Sequence, residues 1–167
     1  MKAARIVGIQ YAALPYRLVG MQVQVLLITS RGTRRWVIPK GWPVKGLKPQ
    51  DVAALEAAEE AGLVGDIAAE PIGSYHYRKQ LKRDGDVAVQ VIVFPLLVVG
   101  VAEAWKEQGQ RHAEWFRYQR AATLVAEPAL GRLIRDLGAA RTPTFFARGL
   151  RLFRAWRSTV KGTPALG

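Results

Sequence analysis

Gln22–Thr29 reads Gln-Val-Gln-Val-Leu-Leu-Ile-Thr, a strand pattern closed by the turn Ser30-Arg31-Gly32, and residues 3–10 read as an earlier strand. A short strand follows at Arg35–Ile38, and Pro39, Gly41, Pro43, Gly46 and Pro49 then punctuate a loop. Gln50–Ala61, rich in Ala, Leu and Glu, predicts a helix that starts near Pro49-Gln50-Asp51 and stops at Gly62. Strands are expected around 70–79 and 87–102, joined as a hairpin by the charged turn Lys82-Arg83-Asp84-Gly85-Asp86. Trp115–Tyr118 predicts a further short strand, and Ala121–Val125 and Pro128–Leu137 predict helices. Phe146, Leu150, Phe153, Trp156 and Val160 share one helical face opposite Arg148, Arg151 and Arg154, which predicts a basic amphipathic helix at the end of the chain.

The longest apolar run, Val91–Ala102, is too short for the roughly 20 residues a membrane helix requires, and Pro95 and Gly100 interrupt it. Its β-branched density fits a buried strand, so no membrane span is expected. A chain of 167 residues, half apolar and 23% charged, suits one folded domain. The absence of cysteine excludes disulfides, thiolate metal sites and a catalytic thiol, which leaves oxygen and imidazole as metal ligands. Gly8, Gln10 and Pro15 break the apolar pattern that a signal peptide would need, so the cytoplasm is the expected location. The net charge of +12 points to an anionic partner. Six basic residues and no acidic one lie in 137–167, so much of the excess sits in the tail.

Glu56, Glu59 and Glu60 are spaced i, i+3, i+4, which lines three carboxylates along one side of the predicted helix. Alone, such a set reads most simply as a solvated face; facing a cleft, it suits divalent cations, whose hard charge prefers carboxylate oxygen. The segment Gly41–Leu63 resembles the Nudix box, in which a glycine, five residues, Glu and seven residues precede Arg-Glu-hydrophobic-any-Glu-Glu-any-Gly-hydrophobic. Gly41, Glu56, Ala57, Glu59, Glu60, Gly62 and Leu63 match in register, whereas Leu47 stands in place of the Glu and Leu55 in place of the Arg. In the family those two side chains form an ion pair, and replacing both partners with apolar residues can be close to neutral, so the two leucines are expected to act as an apolar brace. Arg34–Pro43, Tyr75–Lys79 and Glu114–Phe116 are similar to segments of bacterial relatives of diphosphoinositol polyphosphate phosphohydrolases.

The resemblance implies an α/β Nudix fold, a mixed β-sheet sandwiched between helices (α/β/α); residues 1–140 are expected to form it, and the basic amphipathic helix is expected as a separate 141–167 extension docked on the domain. It also implies a pyrophosphohydrolase dependent on Mg2+, with Mn2+ as an alternative. The substrate class is nucleoside-diphosphate-linked, dinucleoside polyphosphate or diphosphoinositol. Gly41, Glu56, Glu59 and Glu60 carry over as the metal set, and Glu59 and Glu60 as the catalytic pair, one of them acting as general base. Arg34, Lys40 and Arg78 are the first candidates for substrate phosphates. Glu107 and Glu114 are late acidic residues that could add a ligand or base, and His76 reads as structural. A nucleotide or capped-RNA pyrophosphohydrolase, with RNA along the basic tail, and a weakly active phospholigand-binding module stay open as alternatives.

Overall fold

The computed structural model describes residues 6–81 and 85–142. The predicted tail helix and Lys82–Asp84 of the predicted turn lie outside them. The chain order is β1 (Ile6–Val19), β2 (Gln22–Thr29), β3 (Trp36–Val37), β4 (Lys40–Gly41), α1 (Pro49–Ala61), β5 (Leu63–Ile67), β6 (Gly73–Leu81), β7 (Gly85–Val101), β8 (Ala113–Arg117), α2 (Tyr118–Leu124) and α3 (Pro128–Arg141).

All eight described strands join one mixed sheet built around β1 and β7, which run parallel from Ile6/Ala88 to Tyr16/Leu97. β2 and β4 pair antiparallel with the other edge of β1, and β6 and β5 follow one another along the other edge of β7. The arms of the predicted hairpin thus pair from Gly73/Val93 to Leu81/Gly85.

β1 extends nine residues beyond the strand read from sequence, through Pro15, because of where that proline falls. The Ala13 N–H donates toward Pro39 on the β4 side of β1, so Pro15, two residues on, points its missing N–H to the same side. There β4 has already ended at the Ala12 pairing and β2 begins only at Tyr16, so no ladder bond is lost. Pro95 repeats the arrangement in β7, between the last β6 pairing at Val93 and the first β5 pairing at Leu96. The sequence reading also missed β5, a five-residue strand with little apolar alternation, and began α2 three residues late.

The period-2 alternation of the strands divides the core in two. Ala12, Leu14, Val23, Val25, Leu27, Val91 and Val93 face α2 and α3, which contribute Ala121, Leu130, Ile134 and Leu137. Ala13, Leu26, Ile28, Phe94 and Leu96 face the opposite way and meet Ala53, Ala57 and Ala61 of α1. The sheet is therefore covered by helices on both faces, as the expected sandwich requires. The alanine stripe at i, i+4, i+8 presses α1 against the sheet and leaves its glutamates at the margin.

Candidate active site

α1 begins with Pro49, whose fixed φ suits a first helical turn, and ends at Gly62 with φ 67°. The Gly62 N–H donates to the carbonyls of Ala57 and Ala58. A Cβ on Gly62 would also come within 2.5 Å of the Trp105 ring, so glycine is required there by backbone and by contact. Core packing on one side and this cap at the end fix the height and rotation of Glu56, Glu59 and Glu60.

All three open on a cleft of about 660 Å3. β4 forms one wall, and its Gly41 lies so close to Glu56 that any Cβ would overlap the carboxylate. The Lys40 N–H donates to Glu60 Oε2 at 3.2 Å. The facing wall is the loop 102–112 between β7 and β8, which binds the end of α1 through Ala102 N–H to Gly62 O at 2.8 Å and Glu107 N–H to Glu59 O at 3.0 Å. It brings Lys106 to 2.8 Å from Glu59, and Arg111 Nη2 to 2.5 Å from Glu60. Arg111 Nε lies 2.7 Å from Glu107, and its Nη1 donates to Thr29 O at 3.2 Å.

Burial is the main reason the Glu60 carboxyl is pushed up to about 7, with Arg111 and Lys40 pulling it down and Glu56 adding repulsion. Glu56 is also raised, first by burial and then by Glu59 and Glu107. Burial lowers the Lys40 ammonium, against the attraction of Glu60 and Glu127. Its Nζ sits 5.3 Å from the Tyr77 ring centroid, and Lys79 Nζ 5.0 Å from that of Trp42. Among the described residues neither ammonium forms an ion pair with a carboxylate.

Of the residues singled out by sequence, Gly41, Glu56, Glu59, Glu60 and Lys40 come together in this cleft. Arg34 and Arg78 do not line it; Arg35 and Lys79, their neighbours in sequence, do. The strand pleat explains the second case, since Lys79 shares a face of β6 with part-buried Tyr77 while Arg78 and His76 are exposed on the other. Arg34 is held in a turn with φ 56°, its N–H donating to Ser30 O, and Arg35 reaches Glu127 at 3.3 Å. Glu107 lines the cleft, whereas Glu114 lies outside it beside His112. Leu47 is 43% exposed, Leu55 is part-buried, and neither packs against either core cluster. Arg111 and Lys106 escaped the sequence reading; the signal available was that α1 contains no basic residue, so its countercharge had to come from elsewhere.

The donor set for a metal is oxygen throughout: Glu56, Glu59, Glu60, Glu107 and the Gly41 carbonyl, which suits a hard divalent cation. Among the described residues no three acidic or imidazole groups converge on one point, and Glu59 and Glu60 are each drawn to a cationic side chain. The residues fit the ion by chemistry and charge.

The sequence model of the NUDIX domain matches residues 10–137. The chain belongs to the NUDIX domain family. Nudix hydrolase 18, mitochondrial, of Arabidopsis thaliana is 28% identical over 115 residues, which are 65% of this chain and 63% of that protein. Diphosphoinositol polyphosphate phosphohydrolase 3-beta of Bos taurus is 26% identical over 126 residues, covering 72% of this chain and 73% of the bovine one. The chain spans less than two thirds of the length of the plant relatives it matches. A solved C. elegans Ap4A hydrolase in a binary complex superposes with a TM-score of 0.61 at 20% identity, covering 80% of this chain and 96% of that one. The sandwich described above is thus the Nudix fold, as the resemblance implied. Among the described residues no helix is long and apolar enough to cross a membrane.

Proposed function

We propose that this Nudix protein is a metal-dependent pyrophosphohydrolase that cleaves a phosphoanhydride bond. Its proposed substrates are nucleoside-diphosphate-linked, dinucleoside polyphosphate or diphosphoinositol compounds. The observation that carries the reading is the convergence of two charge sets on one cleft: the carboxylates of α1, and Lys40 and Lys79, which form no carboxylate ion pair among the described residues. Each of these part-buried ammoniums lies near an aromatic ring and keeps donors free for an anion, and a polyphosphate supplies several anionic oxygens.

Glu56, Glu59, Glu60 and the Gly41 carbonyl would hold Mg2+ or Mn2+. Bound there, such an ion neutralises phosphate oxygens and lowers the pKa of water. Lys40 and Lys79 bind the substrate phosphates, and Glu59 or Glu60 accepts the proton of the attacking water. Water adds to phosphorus, the bridging oxygen leaves with its electron pair, and the anhydride becomes two phosphate-bearing products. The bovine relative is named for diphosphoinositol polyphosphates and the C. elegans structure for Ap4A, which supports polyphosphates as the substrate class. The plant relatives carry mitochondrial names. For this chain the cytoplasm is the proposed location, to be checked by cell fractionation.

The test is a panel of diphosphoinositol phosphates, diadenosine polyphosphates, nucleoside triphosphates and sugar nucleotides, incubated with and without Mg2+ and followed by phosphorus NMR. Mg2+-dependent splitting of one of the first two classes is expected. Failure to hydrolyse any member with either metal would overturn the reading.

A further inference from the structure

α1 carries three glutamates and an aspartate but no basic residue, and the box position that would supply an arginine holds Leu55. The Glu60 side chain is 11% exposed and has no cation on its own helix. The fold brings one from 51 residues away.

We infer that Arg111 is a positioning residue that takes over the part of the missing box cation, locking Glu60 and Glu107 into one arrangement at the metal-binding wall. The inference rests on the proposed function of the α1 glutamates. Three features support it. All three guanidinium nitrogens are engaged, with Glu60 at 2.5 Å, Glu107 at 2.7 Å and Thr29 O at 3.2 Å, which leaves the planar fork no freedom to turn. The side chain is 9% exposed, so the pair is shielded from solvent in a way that surface ion pairs are not. The anchor is independent of the glutamates, because Thr29 ends β2 in the sheet and also accepts the His112 N–H on its Oγ1 at 3.0 Å. Arg111 therefore ties Glu60 to the sheet at Thr29, in place of the loop-to-helix ion pair that Leu47 and Leu55 cannot form.

Wild type, Arg111→Leu, Arg111→Lys, Arg111→Leu with Leu47→Glu and Leu55→Arg, and Glu60→Gln should be compared on the best panel substrate. Mn2+ affinity is read in parallel by electron paramagnetic resonance without substrate. Loss of a group that orients metal ligands costs about 10–100-fold, so Arg111→Leu should lower kcat by that amount, weaken Mn2+ about tenfold and leave KM within about threefold. Restoring the box pair should recover most of both losses. A raised KM with unchanged kcat would make Arg111 a substrate contact, and wild-type kcat and Mn2+ affinity would make it a structural tie; either overturns the inference, as does a restored box pair that recovers nothing. Should Arg111→Leu fail to fold, Arg111→Lys decides: it keeps the charge without the fork, and wild-type kcat and Mn2+ binding would overturn the claim. Wild-type turnover in Glu60→Gln would instead sink the reading of α1 itself.

Discussion

Two sides of the cleft, α1 and the loop 102–112, are held in place by different means. On α1 the carboxylates ride on a regular helix whose alanine stripe is locked into the core and whose end is capped by Gly62. The loop 102–112 has no regular structure, and its cations reach their places through backbone bonds to Glu59 and Gly62 and through ion pairs with the glutamates themselves. The backbone of α1 is thus positioned by hydrophobic packing, whereas the loop is held by a few backbone bonds and by the ion pairs of Lys106 and Arg111 with the glutamates. Changing a backbone contact should therefore disturb α1 most, and changing charge should disturb the loop most.

Among the backbone contacts the largest effect is expected at Gly41. Gly41→Ala drives a Cβ into the Glu56 carboxylate, and a displacement of about 1 Å at a reacting site costs on the order of 100-fold in turnover, measurable by steady-state kinetics. Gly62→Ala acts on the junction of the two walls. It places a Cβ in the left-handed region and against Trp105, so denaturant titration should show a loss of about 2–3 kcal/mol, and kcat of the folded fraction should fall, though less than in Gly41→Ala.

A pH series separates the walls further. Glu60 has a folded value of about 7 against an ordinary 4.5, so the metal-free folded state holds its proton more tightly than the unfolded chain does. That contribution to stability is complete below about pH 4.5 and is lost as pH rises through about 7. Between pH 5 and 8, in chelator, wild type should lose roughly 1–3 kcal/mol more stability than Glu60→Gln. Equal slopes would show that Glu60 titrates normally. The smallest effect concerns substrate phosphates: Lys79→Ala should raise KM about fivefold and Arg78→Ala less than twofold, consistent with about 1 kcal/mol for one exposed charge contact. The reverse order would place the substrate on the other face of β6.

These contrasts match what could be read from sequence and what could not. Glu56, Glu59 and Glu60 were legible because helical spacing is local, and Gly62 because glycine marks a helix end. The long strands were legible except where Pro15 hid inside β1, since a proline is tolerated there only because of a gap between two neighbouring strands. Arg78 and Lys79 differ by one residue, and in a strand one residue changes the face; the apolar ring of Tyr77 already held the clue that Lys79 shares its side. Arg111 was illegible in a stronger sense. Its role depends on a contact with Glu60 across 51 residues, and no spacing rule links an irregular loop to a helix face.

Catalysis from α1 is tested most directly by the turnover of Glu60→Gln at saturating Mg2+ on the best panel substrate, alongside its melting temperature. The substitution keeps the shape of the side chain and removes its charge. Turnover should fall by about 1,000-fold or more with the fold intact, in the range seen when a group acting in the transition state is removed. A rate within twofold of wild type would contradict the assignment of catalysis to the α1 carboxylates.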